Sequence, residues 1–326
     1  MTRWYRPAAN CPSGLFARHW SSTGCSHGKE KTRMFETAVM ATDLSRVGVA
    51  LSECGGALRT LGVEKIIVAE CVKSGEALSI AYSYSDRKVE SLIEQECAQL
   101  RDHGFEVDRE VLTGNPGRNV RRLVKDRGAT LVVTGTDHHS LTGELLGSDT
   151  SWSVIEHSLV PVLLVPIVRS PKDDEELCVH PTACEELLGQ LLFPTDFSEN
   201  ADIAIPVVED LVRKGAAALT LLHVQDSSRI DPHLSERLNE FNSIDEQRLL
   251  ELKERIAESG TSEISTTVSY GRPVPEILRV VKEIGCTCLV LGRHGRGAIL
   301  EAILGSVSHN VIRKAEVPVL IVPHET

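Results

Sequence analysis

A gapless internal repeat restricts what this chain can fold into more than any other feature of its sequence. Every position from Gly114 to Pro166 pairs with one from Gly271 to Pro323 at a constant offset, 271 − 114 = 157. Under that offset Pro116 falls on Pro273, Lys125 on Lys282, Gly128 on Gly285, Gly135 on Gly292, and Val160-Pro161-Val162-Leu163 on Val317-Pro318-Val319-Leu320. Further upstream, Asp43 to Glu70 and Asp196 to His223 are both separations of 27 positions. Self-similarity of this length means that one structural unit is present twice. A chain of 326 residues is a comfortable length for two domains of ordinary size.

Within each unit, short apolar runs alternate with stretches of helical spacing. The first unit has strands at Phe35–Ala41, Lys65–Cys71, Glu106–Thr113, Thr130–Thr134 and Val160–Val165, with helices over Val49–Leu61, Ser85–His103 and Val120–Arg127 and through Val154-Ile155. In the second unit the strands are Leu191–Pro194, Ala218–Val224, Glu263–Ser269, Cys288–Leu291 and Val317–Val322, and the helices span Asn200–Lys214, Asp231–Glu258 and the stretch up to Ile284. This alternation predicts an α/β fold of two tandem flavodoxin-like or Rossmann-like domains, each a mostly parallel five-stranded sheet between helices. The expected organisation is a disordered extension over residues 1–33, a first domain over 34–168, an acidic linker over 169–190 and a second domain over 191–326. The linker reading rests on Asp173-Asp174-Glu175-Glu176. The extension lacks the apolar core of a secretory signal and reads either as a targeting leader or as a segment added upstream of Met34.

Charge and cysteine content narrow the function. The net charge of −11 argues against nucleic acid as a main partner, since such binding rests on a basic face. No apolar run is long enough to span a bilayer, so no membrane partner is expected. Nine cysteines, an odd number without framework spacing, fit a reducing cytoplasm. Cys178-Val179-His180 with Cys184 matches no common zinc spacing and lies in an acidic stretch, and adjacent loop histidines such as His138 and His139 are more often solvated, so no metal site is expected.

The chemistry is concentrated in the second copy. Cys288-Leu289-Val290-Leu291 is followed by Gly292-Arg293-His294-Gly295-Arg296-Gly297, then by a stretch ending at Gly305-Ser306-Val307-Ser308. A strand, a glycine-rich loop and a helix start in this order can hold a phosphate: glycine allows close backbone approach, and the first helical N–H groups attract an anion. Ser306 and Ser308 would add hydroxyl donors, while Val307, Val311 and Ile312 carry the helical apolar spacing. His294, Arg293 and Arg296 could reach phosphates or simply contact water. The spacing is neither a Walker-type phosphate loop nor a dinucleotide fingerprint.

Gly292, two residues, Gly295, nine residues, then Gly305-Ser306 resembles the nucleotide-binding signature of the universal stress protein superfamily, in its ATP-binding branch. The resemblance implies a sheet of the adenine nucleotide alpha hydrolase-like kind and ATP as ligand, with Mg2+ as its companion. It implies that Pro194-Thr195-Asp196 lies beside the nucleoside, Val224 beside the base, and Gly292, Arg293, Gly295, Gly305, Ser306 and Val307 around ribose and phosphates. Asp196 fits equally as an N-cap-type residue at a strand end. No catalytic residue is assigned. The resemblance further implies pairing of the two domains through their last strands, an intramolecular pseudo-dimer that can dimerise again, and a stress-response role in the cytoplasm. A slow ATP-hydrolysing enzyme and a nucleotide-free scaffold stand as alternatives.

The first copy departs from the pattern. His138 replaces Gly295, Ser148 replaces Gly305 and Asp149 replaces Ser306. If the turn needs a positive φ, a non-glycine residue there costs about 1–2 kcal/mol. A carboxylate about 4 Å from a phosphate charge costs roughly 1 kcal/mol in water and about 4 at an effective dielectric of 20. A helix terminus returns only about 0.3–1 kcal/mol. The first copy is therefore expected to bind triphosphate poorly or not at all, unless a one-residue slip brings Gly147-Ser148 into register.

Overall fold

A computed structural model describes residues 34–42, 46–72, 87–137, 149–169, 177–179, 186–230, 238–260, 262–293 and 304–324. In the first half the elements are β1 (Thr37–Thr42), α1 (Arg46–Ser52), α2 (Gly55–Thr60), β2 (Lys65–Val72), α3 (Arg87–Asp102), β3 (Glu106–Thr113), α4 (Pro116–Arg127), β4 (Leu131–Asp137), α5 (Asp149–His157) and β5 (Val162–Arg169). A short β6 (Leu177–Val179) lies between the halves. The second half follows with β7 (Gln190–Pro194), α6 (Glu199–Asp202), α7 (Ile205–Arg213), β8 (Ala218–Asp226), α8 (Ser227–Ile230), α9 (Leu238–Ala257), β9 (Glu263–Gly271), α10 (Pro273–Glu283), β10 (Cys288–Gly292), α11 (Ser306–Ile312) and β11 (Val319–Val322).

Among the described residues these strands form one sheet of eleven, in the order β3-β2-β1-β4-β5-β11-β10-β7-β8-β9, with β6 paired to β5. Each half is a parallel five-stranded sheet, as its run of apolar strands separated by helices requires. Val39, Met40, Ile66, Ile67, Val132 and Val133 in the first half and Leu191, Leu192, Leu219, Leu289 and Val290 in the second are fully buried, because helices cover both faces of a parallel sheet. Phe35–Thr326 folds as one compact unit.

The halves join through β5 and β11, which run antiparallel with Leu163 opposite Leu320. Those two leucines stand at equivalent positions of the repeat, so the pair marks a pseudo-twofold axis and each half presents the same edge to the other. Trp152 and His309, also equivalent, meet edge to face across the same axis with ring centroids 4.7 Å apart. The far end of β5, from Ile167 to Arg169, pairs with β6. The stretch read as an acidic linker thus contains an ordered strand, and the apolar Leu177 and Val179 flank Cys178 in it. His180 and Cys184 lie outside the described residues.

Helix boundaries follow local chemistry repeated in both halves. Asn115 caps α4 by accepting from the Arg118 N–H at 2.9 Å, Pro116 takes the first turn, and Gly128 ends the helix at φ 64°. In α10, Pro273 occupies the first turn and Gly285 follows the end at φ 61°. Two helices that the apolar spacing runs together are broken. Val49–Leu61 divides after Ser52, whose Oγ bonds the Val49 carbonyl at 2.7 Å. Asn200–Lys214 divides because Pro206 has no N–H to give the carbonyl four residues back. No helix among the described residues is long and apolar enough to cross a membrane.

Candidate functional site

In the second half the chain runs β7, β8, β9 outward in one direction, then returns to place β10 and β11 on the other side of β7. The carboxyl ends of β7 and β10 therefore flank the switch in strand order, where an open parallel sheet leaves a crevice for ligand. Pro194 ends β7, with Thr195 and Asp196 just beyond; Gly292 ends β10, with Arg293 next. Val224 lies near the end of β8, half-buried on the same side of the sheet as Leu222. The topology thus brings together the two sequence stretches, about a hundred residues apart, that carry the expected site.

The β7 end is tightly braced. The Thr195 N–H donates to the Leu222 carbonyl at 2.8 Å, and Thr195 Oγ1 accepts from the Phe197 N–H at 3.0 Å. Asp196 Oδ1 accepts from the Ser198 N–H at 3.1 Å and from Ser198 Oγ at 2.6 Å, while Ser198 Oγ caps α6 by accepting from the Ala201 N–H at 3.2 Å. The helix cap is Ser198, and Asp196 holds that cap in place. Phe197 has a positive φ of 56°, its ring centroid lies 4.6 Å from that of His223, and the Arg248 guanidinium sits 4.0 Å from the same centroid. His223 is only 6% exposed. Its Nδ1 lies 2.8 Å from the Thr195 carbonyl, which can only accept, so the proton sits on Nδ1. Its Nε2 faces Asp245 Oδ2 at 3.5 Å, and that same oxygen accepts from Gln225 Nε2 at 2.9 Å. This polar group locks the ends of β7 and β8 to α9. The first half puts another buried polar residue at the repeat-equivalent place: Glu70, 0% exposed, held by Arg109 Nε at 2.8 Å.

The β10 end is closed by backbone. Arg293 N–H donates to the Val322 carbonyl at 2.8 Å, and Arg293 C=O accepts from the Gly305 N–H at 2.9 Å. These two bonds tie Arg293 to the end of β11 and to Gly305 at the start of α11. Gly295 lies outside the described residues, as do His294, Arg296, His138, His139, Gly147 and Ser148. Ser306 is exposed, and Val307 is 36% exposed while Val311 and Ile312 are buried. Val307, in the first turn of the helix, is thus not a core position.

Three readings of the sequence change here. Ser308 Oγ does not face the loop but donates to the Gly292 carbonyl at 2.9 Å, and its repeat partner Ser151 donates to the Gly135 carbonyl at 2.6 Å. Both halves use that hydroxyl to clamp helix to strand. Gly305 has φ −59°, a value any residue adopts, so replacement by serine in the first copy carries no left-handed strain. A Cβ on Gly135 would come within 2.6 Å of Val47 Cγ1, so in the first half glycine at the end of β4 is required by packing. The residues that distinguish the second copy are therefore Gly295, Gly305 and Ser306.

Arg293 also sits differently from a phosphate ligand. Its side chain is 6% exposed and crosses into the first half, where Nη1 donates to the Glu156 and Ser158 carbonyls at 3.2 Å each. Burial pulls its pKa down, Arg121 acts in the same direction and Glu156 opposes them. Local pattern gives no sign of this reach, since the contact spans 135 positions or more. A signal does exist in the repeat, where Arg293 replaces the small Thr136.

The universal stress protein family model matches residues 34–166 and again 189–323. The chain belongs to the universal stress protein family. A universal stress protein of Methanocaldococcus jannaschii is 30% identical over 152 residues, covering 41% of this chain and 93% of that protein. One from Mycolicibacterium smegmatis is 25% identical over 224 residues, covering 68% of this chain and 70% of that one. Among solved structures, a universal stress protein from Archaeoglobus fulgidus superposes with a TM-score of 0.63 over 89% of this chain and 96% of that one, at 21% identity. That likeness confirms the tandem α/β fold.

Proposed function

We propose that the second half of this universal stress protein binds an adenine nucleotide, ATP, and that occupancy alters conformation or partner binding in a stress response. The observation that carries this reading is the closure of the glycine loop at Arg293 and Gly305, beside the Asp196 turn, at the switch point of the second sheet. The nucleoside would lie by Pro194, Thr195 and Asp196, with Val224 against the base. Gly292, Gly295, Gly305, Ser306 and Val307 would surround ribose and phosphates, Arg293 contributing through the backbone that closes the loop. Mg2+ would accompany the triphosphate as its ordinary counterion. The loop sequence carries no phosphate-loop lysine and no evident general base beside it, so binding is a better fit than hydrolysis. In the first half Asp149 begins α5 at the position of Ser306, and its charge would turn a triphosphate away. A cytoplasmic setting accords with the buried free thiols of Cys54, Cys71, Cys97, Cys286 and Cys288. Equilibrium dialysis of the full chain with ATP tests the proposal: one nucleotide per chain is expected, lost in Gly305→Asp. No binding, or binding unchanged in that variant, rejects it.

A further inference from the structure

The repeat supplies an internal control for surface charge. Helix α4 (Pro116–Arg127) and its counterpart α10 (Pro273–Glu283) do the same structural work, each opening on a proline and followed by a left-handed glycine. Both bury the same apolar face, Val120, Leu123 and Val124 in α4 and Ile277, Val280 and Val281 in α10. Their outer faces differ. In α10 the charges cancel: Arg279 pairs with Glu276 at 2.9 Å and with Glu283, and Lys282 lies 3.5 Å from Glu316. Helix α4 carries Arg118, Arg121, Arg122, Lys125 and Arg127 against Asp126, a net of 5 − 1 = +4. At the aligned positions Asn119 stands for Glu276 and Leu159 for Glu316, while Arg118 and Arg121 stand for Pro275 and Leu278. Arg127 is held by Asp108 at 3.5 Å and by Glu110. Of the other cations, Arg118, Arg122 and Lys125 are exposed and Arg121 is half-buried, and none of these makes an ion pair among the described residues.

Such a charge distribution works against the helix that bears it. Arg118 with Arg121, Arg118 with Arg122, Arg121 with Lys125 and Arg122 with Lys125 are like-charge neighbours at spacings of three and four, which destabilise a helix. Arg118 also stands in the first turn, where the helix dipole disfavours a cation. The neutral α10 shows that the fold does not need these charges. We propose that the outer face of α4, with Arg118, Arg122 and Lys125 as its stripe, docks a short acidic segment of a partner protein. Charge complementarity selects the occupant, since cations at i, i+4 and i+7, two of them guanidinium forks, suit a small cluster of carboxylates. Over seven residues the stripe runs about 10 Å at 1.5 Å per residue, and a short segment lies within it. A nucleic acid strand is a longer polyanion and would run on over a chain whose charge outside this helix is −11 − 4 = −15. The inference stands apart from the nucleotide reading, because it uses none of the residues given to that site.

Fluorescence anisotropy of a labelled hexaglutamate peptide titrated with the full chain at low salt tests this. Saturable binding is expected, weakening as salt is raised and falling about tenfold or more in the triple variant Arg118→Gln, Arg122→Gln, Lys125→Gln. The melting temperature of that variant is expected to hold or rise, because like-charge repulsion is relieved, so lost binding is not lost folding. The matching change on the other helix, Arg279→Gln with Lys282→Gln, is expected to leave peptide binding at the wild-type level. No binding, binding that survives the triple variant, or an equal loss in the α10 variant overturns the proposal. A lowered melting temperature of the triple variant also counts against it, by showing that the fold needs these charges. Tighter binding of a single-stranded oligonucleotide of matched charge would assign the stripe to nucleic acid and overturn the protein reading. Self-association of the wild type that the triple variant abolishes would assign it to a second copy of this chain, with the same consequence.

Discussion

Replacing Ser306 by aspartate would copy into the second half the residue that the first half carries as Asp149. Ser306 is exposed at the start of α11, so the change disturbs no packing. A carboxylate in the first turn of a helix is worth about 0.3–1 kcal/mol to stability, so the melting temperature should hold or rise slightly. Toward a bound phosphate the same charge is repulsive. At a separation of about 4 Å the cost is roughly 1 kcal/mol if water fully screens the pair and about 4 kcal/mol at an effective dielectric of 20. With 1.4 kcal/mol per tenfold, ATP affinity should fall between about fivefold and several hundredfold. The exposure of Ser306 places the expected loss toward the lower part of that range. Calorimetric titration of ATP into the full chain, with Ser306→Asn as the uncharged control, separates charge from shape. The aspartate effect should shrink as salt is raised, since screening at an exposed site is efficient. Equal affinity in wild type and Ser306→Asp, or an equal loss in Ser306→Asn, would refute the electrostatic reasoning.

Other expectations concern the frame that holds the site. Arg109→Ala would leave the carboxylate of Glu70, whose side chain is 1% exposed, without its guanidinium; a loss of about 3 kcal/mol is expected in urea unfolding. Gly128→Ala and Gly285→Ala, at φ 64° and 61° with open space around each, should each cost about 1–2 kcal/mol and by similar amounts, because the two halves end the same helix in the same way. Glu276 accepts from Ser269 Oγ at 2.6 Å and pairs with Arg279, and these bonds, Ser269 first, hold its pKa below the usual carboxylate range. Its contribution is therefore present above the unfolded carboxylate pKa and lost as pH falls through the depressed folded value. Thermal melts of Glu276→Gln from pH 5 to pH 2 should accordingly show a shallower acid decline than the wild type.

The alternation of apolar runs and the offset of 157 were enough to anticipate the tandem parallel sheets, because buried strands and repeated caps are local patterns. Pro116 and Pro273, Gly128 and Gly285 announce the same helix twice. Where the chain departs from local pattern, a long-range contact has intervened. Ser308, which looks like a loop donor, clamps β10 to α11. Gly305 reads as a left-handed turn but has an ordinary φ, since its role is to return the chain to the Arg293 carbonyl. The path of the Arg293 side chain depends on how the halves meet at Leu163 and Leu320, which no single stretch encodes. The brace of Thr195, Phe197, His223 and Arg248 likewise draws on β7, β8 and α9 together.

A crystal structure of the full chain grown with ATP tests the central claim most directly. Density for one nucleotide is predicted between the Asp196 turn and Gly305-Ser306, with none at the equivalent place beside Asp149. Nucleotide bound in the first half with the second half empty would contradict the account.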